Sequence, residues 1–120
     1  MNCEGEKVEP NEIFVLWTSG DREVAMGMVF MYTLNSKLKG WWEDVTLIVW
    51  GASAKLLAED EELQEKLRQM IEAGVDVVAC AACADMFGVR EKLESLGIEV
   101  KGMGLPLTQL LKAGKTFISI

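Results

Sequence analysis

Val75-Asp76-Val77-Val78-Ala79-Cys80-Ala81-Ala82-Cys83 is the stretch on which the fold turns. Its first five residues are nearly all apolar and β-branched, the composition of a strand buried on both faces. Gly74 stands before them and an alanine-rich helical pattern follows from near Cys83. A buried strand that delivers a thiol to the start of a helix describes a parallel α/β unit with chemistry at its carboxyl end. The free N–H groups of a helix start favour an anion and so lower a thiol's pKa. The thiolate is the form that attacks disulfides, polysulfides and persulfides.

The same alternation extends in both directions. Glu12 to Thr18 reads as a strand, and Ser19-Gly20-Asp21 as a turn that caps a helix from Arg22 to Leu38. That helix is apolar nearly all round between Val24 and Leu34. A helix outside a sheet needs one apolar stripe, so a second covering surface is expected, and in a small domain another subunit is its natural source. Val45 to Trp50 is a second strand, ended by Gly51. Ala52 to Ala58 reads as a short helical turn. Asp60 opens an amphipathic helix that Gly74 stops, with Leu63, Leu67, Met70 and Ile71 as its stripe. Beyond the cysteines, Gly88 divides a helical region that ends at Gly97. Ile98 to Lys101 is a short strand, Gly102-Met103-Gly104 a loop, Leu107 to Ala113 a helix, and Thr116 to Ile120 a terminal strand. The pattern predicts a three-layer α/β sandwich with a mostly parallel five-stranded sheet and helices on both faces. Residues 1–11 read as a flexible polar leader and residues 12–120 as one domain.

Composition narrows the function. With 19 acidic against 12 basic residues and no basic cluster, nucleic acid is not an expected partner. No apolar run is long enough to span a membrane. The start of the chain lacks the basic and apolar regions of a signal peptide, so the expected location is cytoplasmic. Thiols there are mostly reduced, and a Cys pair tends to be catalytic or metal-binding. The chain has no histidine, and one CxxC supplies only half of a tetrahedral zinc site, so no metal is expected. Cys3 lies in the leader and reads as a bystander.

Three loops fall at strand carboxyl ends. Cys80 is the candidate nucleophile and Cys83, one helical turn on, the candidate resolving thiol. Ser19 and Gly20 in the first loop, and Gly51 and Ser53 in the second, are candidate substrate-binding residues, as is Asp85 beside the cysteines. The first loop also suits a plain helix cap. It carries no Walker or GxGxxG pattern and is shorter than the hydroxyl-rich loop of a flavodoxin-like flavin site, so no cofactor is expected. Asp85 also suits a first-turn acid, and the thiols suit an apolar core. Arg90 and Lys92 offer positive charge nearby. Met26, Met28 and Met31, with Phe30, are candidates for a subunit interface.

From Ile13 to Ile120 the chain resembles the DsrE/DsrF-like proteins, which include the TusD and YchN types. The resemblance rests on the Ser19-Gly20 turn before a long apolar helix, on strands ending at Trp50-Gly51 and at Cys80, on Gly88, and on Gly104-Leu105-Pro106-Leu107-Thr108 near the end. It implies a flavodoxin-like topology and assembly into trimers or hexamers. In the sulfur-relay members a cysteine after the third strand carries sulfur as a persulfide between donor and acceptor proteins, and Cys80 matches that position. Cys83 departs from those members' usual single cysteine. A thiol–disulfide redox protein using both cysteines, and a non-enzymatic oligomer binding a ligand or protein, stay open beside the sulfur-carrier reading.

Overall fold

Five strands form one sheet in the order β4-β3-β2-β1-β5, every neighbouring pair parallel. They are β1 (Glu12–Trp17), β2 (Asp44–Val49), β3 (Asp76–Cys80), β4 (Glu99–Lys101) and β5 (Phe117–Ser119). The computed structural model describes residues 11–120. Residues 1–10, with most of the expected leader and Cys3, lie outside the described residues. Asn11, also assigned to that leader, is held in place. Its carbonyl accepts from the Glu43 and Asp44 N–H groups at 3.0 and 3.2 Å.

The helical segments are α1 (Arg22–Val24), a π-helical stretch (Ala25–Phe30), α2 (Met31–Leu38), α3 (Ala52–Glu59), α4 (Glu61–Ala73), α5 (Ala81–Met86), α6 (Arg90–Ser95) and α7 (Gly104–Lys112). Their ends follow local chemistry. The Asp21 carboxylate accepts the Val24 N–H, and the Asp60 carboxylate the Leu63 N–H, each at 3.0 Å. Both are N-caps that satisfy a donor the helix leaves free. Gly74 closes α4 at φ +104°, and Gly88 separates α5 from α6 at φ +69°; both lie in the left-handed region that glycine enters without strain.

Strand order explains an asymmetry between the two faces of the sheet. β1 to β4 are laid down side by side, so right-handed crossovers put the intervening helices on one face. That face carries the main core. Val15, Trp17, Leu47, Val49 and Ala79 pack there under Val29, Leu57, Leu67, Met70 and Leu93. Burial of each large side chain stabilises the fold by about 1.5–3 kcal/mol. The chain then returns past β1 to add β5, and α7 crosses the opposite face. The core there is thinner: Phe14, Ile48, Cys80, Cys83 and Met103, with Leu110 of α7 and Phe117 against them. Helices therefore do cover both faces, but unequally.

Several boundaries differ from those read in the sequence. The Arg22–Leu38 helix is present, but its middle widens to a π-helix, which no pattern of apolar residues signals. Ala52–Glu59 is a full helix rather than a turn. α5 starts at Ala81, directly after the strand, because Cys80 itself is the N-cap residue and two alanines, the best helix formers, follow. α7 starts at Gly104, with Pro106 in its first turn, where no intrahelical N–H is needed.

Candidate functional site

Cys80 is the last residue of β3, paired in register with Lys101 of β4. Strand alternation turns its side chain to the α7 face, next to Ile48, while Ala79 faces the main core. Its backbone is extended (φ −71°, ψ 118°), as an N-cap requires, and Cys83 is the third residue of α5. An N-cap side chain folds back over the third helical residue, so the CxxC spacing here brings the two thiols together. Both belong to one buried apolar cluster, with the Cys80 sulfur near enough to Cys83 to influence its titration. Both are free thiols, 4% and 8% exposed.

Burial pushes the Cys83 thiol above the ordinary thiol range. The Gly51 backbone N–H facing its sulfur pulls the other way, and the neighbouring Cys80 sulfur adds to the rise. The helix start thus does not acidify Cys83: desolvation outweighs the single N–H. At neutral pH Cys83 is a protonated thiol, able to give its proton to a neighbouring sulfur.

Around the thiols, the residues expected to bind substrate have separate positions. Gly51, after β2, reaches the site through the N–H that faces Cys83, and its φ of +70° lets the backbone turn there. Ser53 is fully buried. Its hydroxyl lies 2.6 Å from the Trp17 carbonyl and 2.9 Å from that of Trp50, and accepts the Trp50 N–H at 3.1 Å. Its hydroxyl is used to tie the ends of β1 and β2 together. Gly20 lies against α3; a Cβ there would stand 3.1 Å from the Ala52 Cβ. The Ser19 hydroxyl accepts the Asp21 N–H at 3.0 Å, an interaction internal to its turn.

The crevice where strand order reverses, between β1 and β5, is the usual ligand site of an open α/β sheet. Here the Ile120 carbonyl fills it, accepting the Thr18 and Ser19 N–H groups at 2.7 and 3.1 Å and the Thr18 hydroxyl at 3.0 Å. Asp85 is half-exposed and held by Arg90 through two hydrogen bonds of 2.8 and 2.9 Å. That guanidinium holds its carboxyl below the ordinary range. Neither Asp85 nor Arg90 is free to serve the thiols while that pair stands. No group of three or more Cys, Asp or Glu is placed to hold a metal ion among the described residues. None of their helices is long and apolar enough to cross a membrane.

Two apolar surfaces complete the picture. Met86, 73% exposed, and Leu105, 67% exposed, stand on the helices that flank the cysteine end of the sheet. The π-helical stretch and α2 carry the other. Met31, 58% exposed, borders two shallow grooves of about 270 and 220 Å³, one running to Met70 of α4 and one to Trp41. Of the four residues expected at an interface, Met28 and Met31 are exposed, Met26 packs partly buried against the main core, and Phe30 is buried within it, edge-on to Trp17. Gly51's contact with Cys83 had no sequence signal beyond its position at a strand end.

The chain matches the DsrE/DsrF-like family over residues 12–120. Among solved structures, it is similar to a conserved protein of unknown function, BT1422, from Bacteroides thetaiotaomicron. The two are 41% identical with a TM-score of 0.90, over 92% of this chain and 95% of that one. The protein of unknown function MTH1491 from Methanobacterium thermoautotrophicum shares the fold at 18% identity and a TM-score of 0.69, covering 91% of this chain and 97% of its own. The ychN protein from E. coli does so at 15% identity and a TM-score of 0.69, covering 92% and 100%. No curated protein matches the chain.

Proposed function

The chain belongs to the DsrE/DsrF-like family, and on that premise we propose that it is a cytoplasmic sulfur carrier that holds sulfane sulfur as a persulfide on Cys80. Family membership points to a role related to sulfur relay. The observation that carries the finer reading is the placement of Cys80. It is the last residue of a central parallel strand and the N-cap of a helix, with a second thiol in the same buried cluster. A strand end fixes the sulfur in place. Apolar walls from Phe14, Ile48 and Met103 keep water from the sulfane bond.

In this reading Gly51 directs an N–H to the sulfur pair. Ser53 and Gly20 set the position of Gly51 by joining the ends of β1 and β2 and seating α3. Ser19 shapes the neighbouring turn, and the Asp85–Arg90 pair fixes the end of α5. The partners are donor and acceptor proteins for sulfur, together with further copies of this chain. Assembly is supported by the exposed side chains of Met28, Met31 and Trp41, which line one groove.

Intact-protein mass spectrometry tests the proposal after reduced protein is treated with inorganic polysulfide. In a Cys3→Ser background, Cys83→Ser, which keeps Cys80, is expected to gain sulfur that a reductant removes, and Cys80→Ser to gain none. Undiminished loading of Cys80→Ser would refute the assignment.

A further inference from the structure

The second thiol gives the carried sulfur a fate other than transfer. We propose that Cys83 discharges a persulfide on Cys80 reductively, releasing hydrogen sulfide and leaving a Cys80–Cys83 disulfide. This rests on Cys80 as the carrier and names what becomes of its sulfur.

The geometry is that of an N-cap and the third residue of its helix. The two side chains share one buried apolar cluster, and the Cys80 sulfur is near enough to Cys83 to influence its titration. A persulfide on Cys80 would therefore form with the Cys83 sulfur already beside its inner sulfur atom. The Cys83 sulfur attacks the Cys80 Sγ; the bond between Sγ and the outer sulfur breaks, and the outer sulfur leaves as hydrosulfide. The Cys83 proton passes to that leaving group, so persulfide and thiol become disulfide and hydrogen sulfide. The sulfane sulfur gains two electrons, and the two cysteine sulfurs together lose them. An external thiol, two equivalents by thiol–disulfide exchange, restores the dithiol.

Burial shapes the step in two ways. Cys83 is a protonated thiol at neutral pH, so attack requires it to give up its proton, and the outgoing sulfide is the base that takes it. An attacking group held in place also acts at an effective concentration far above that of any thiol in solution. A transferred sulfur and a discharged one then differ only in which thiol arrives first, that of an acceptor protein or Cys83.

The test uses the full chain, reduced and freed of reductant, given one equivalent of inorganic polysulfide. Released sulfide is trapped with a fluorescent bimane, and intact mass is followed in time. Wild type is expected to release sulfide while losing two hydrogens and keeping no added sulfur. Cys83→Ser is expected to keep the added sulfur and, beyond the sulfide or shortened polysulfide expelled in loading, to release sulfide at least about a hundredfold more slowly. Cys83→Ala, which also removes the hydroxyl, is expected to behave the same. Running each in a Cys3→Ser background removes the remaining thiol. Wild type that holds added sulfur as long as Cys83→Ser would overturn the proposal and leave the carrier reading standing. A disulfide formed without sulfide release would also overturn it. Failure of both wild type and Cys83→Ser to take up sulfur would instead overturn the carrier reading, and this step with it.

Discussion

Replacing Ser53 by alanine probes how the fold holds the site. The Ser53 hydroxyl is fully buried and accepts the Trp50 N–H at 3.1 Å. It also donates within reach of the Trp17 carbonyl, 2.6 Å away, and the Trp50 carbonyl, 2.9 Å away. Trp50 N–H and the Trp17 carbonyl keep one bond to each other at 3.0 Å, so the loss does not orphan them completely. Removing a buried hydroxyl with such partners costs about 1–2 kcal/mol, toward the lower part of the range for unsatisfied buried groups. For a domain of this size each kcal/mol lowers Tm by roughly 4 °C. Urea unfolding is expected to show a lower midpoint with an unchanged slope. Because Gly51 stands between Trp50 and α3 and its N–H faces Cys83, native-state alkylation of Cys83 is expected to quicken as well. A midpoint equal to that of wild type would refute the claim that this hydroxyl joins the strand ends. A lower midpoint with unaltered alkylation would break the link from Ser53 to the thiols.

Other outcomes follow from single contacts. Gly20→Ala places a Cβ 3.1 Å from the Ala52 Cβ, tighter than ordinary van der Waals contact, and overpacking of this kind costs about 1–3 kcal/mol in thermal unfolding; unchanged stability would show that the turn yields. Asp60→Ala removes the N-cap of α4 and its ion pair with Arg22, and the cap alone is worth about 1 kcal/mol, read as a fall in the urea midpoint. Cys83 titrates higher folded than unfolded. The native state therefore holds its proton more tightly, and the stability this contributes is full below the ordinary thiol range and lost as pH rises through and above it. The stability difference between wild type and Cys83→Ser is expected to be constant from neutral pH to the start of that range and to shift against wild type above it. A difference that is flat throughout would contradict the burial argument.

Much of the fold was legible because its signals are local. Asp60 and Gly74 mark the two ends of α4 by their own chemistry, and the apolar strands stand out from the helices between them. Cys80 could be placed at a strand end for the same reason. What escaped is set by residues distant in sequence. The Ile120 carbonyl occupies the turn at Thr18 and Ser19 only because β5 is laid beside β1, a pairing that no local pattern encodes. Ser53 looks like an exposed loop hydroxyl until Trp17 is brought to it from the neighbouring strand. The raised pKa of Cys83 has no local signal, because its burial depends on Phe14, Ile48 and Met103 from three other parts of the chain. The π-helical widening at Ala25–Phe30 has no counterpart in apolar spacing, and it sits beneath the exposed methionines.

The central claim is that Cys80 receives sulfane sulfur. The most direct measurement treats the Cys83→Ser protein with polysulfide, caps the persulfide by alkylation, digests the protein and fragments the peptide that spans Val75 to Arg90. The account predicts the added sulfur on Cys80 at close to one per chain. Sulfur found on Cys3 alone, or a peptide that carries none while the protein stays folded, would contradict it.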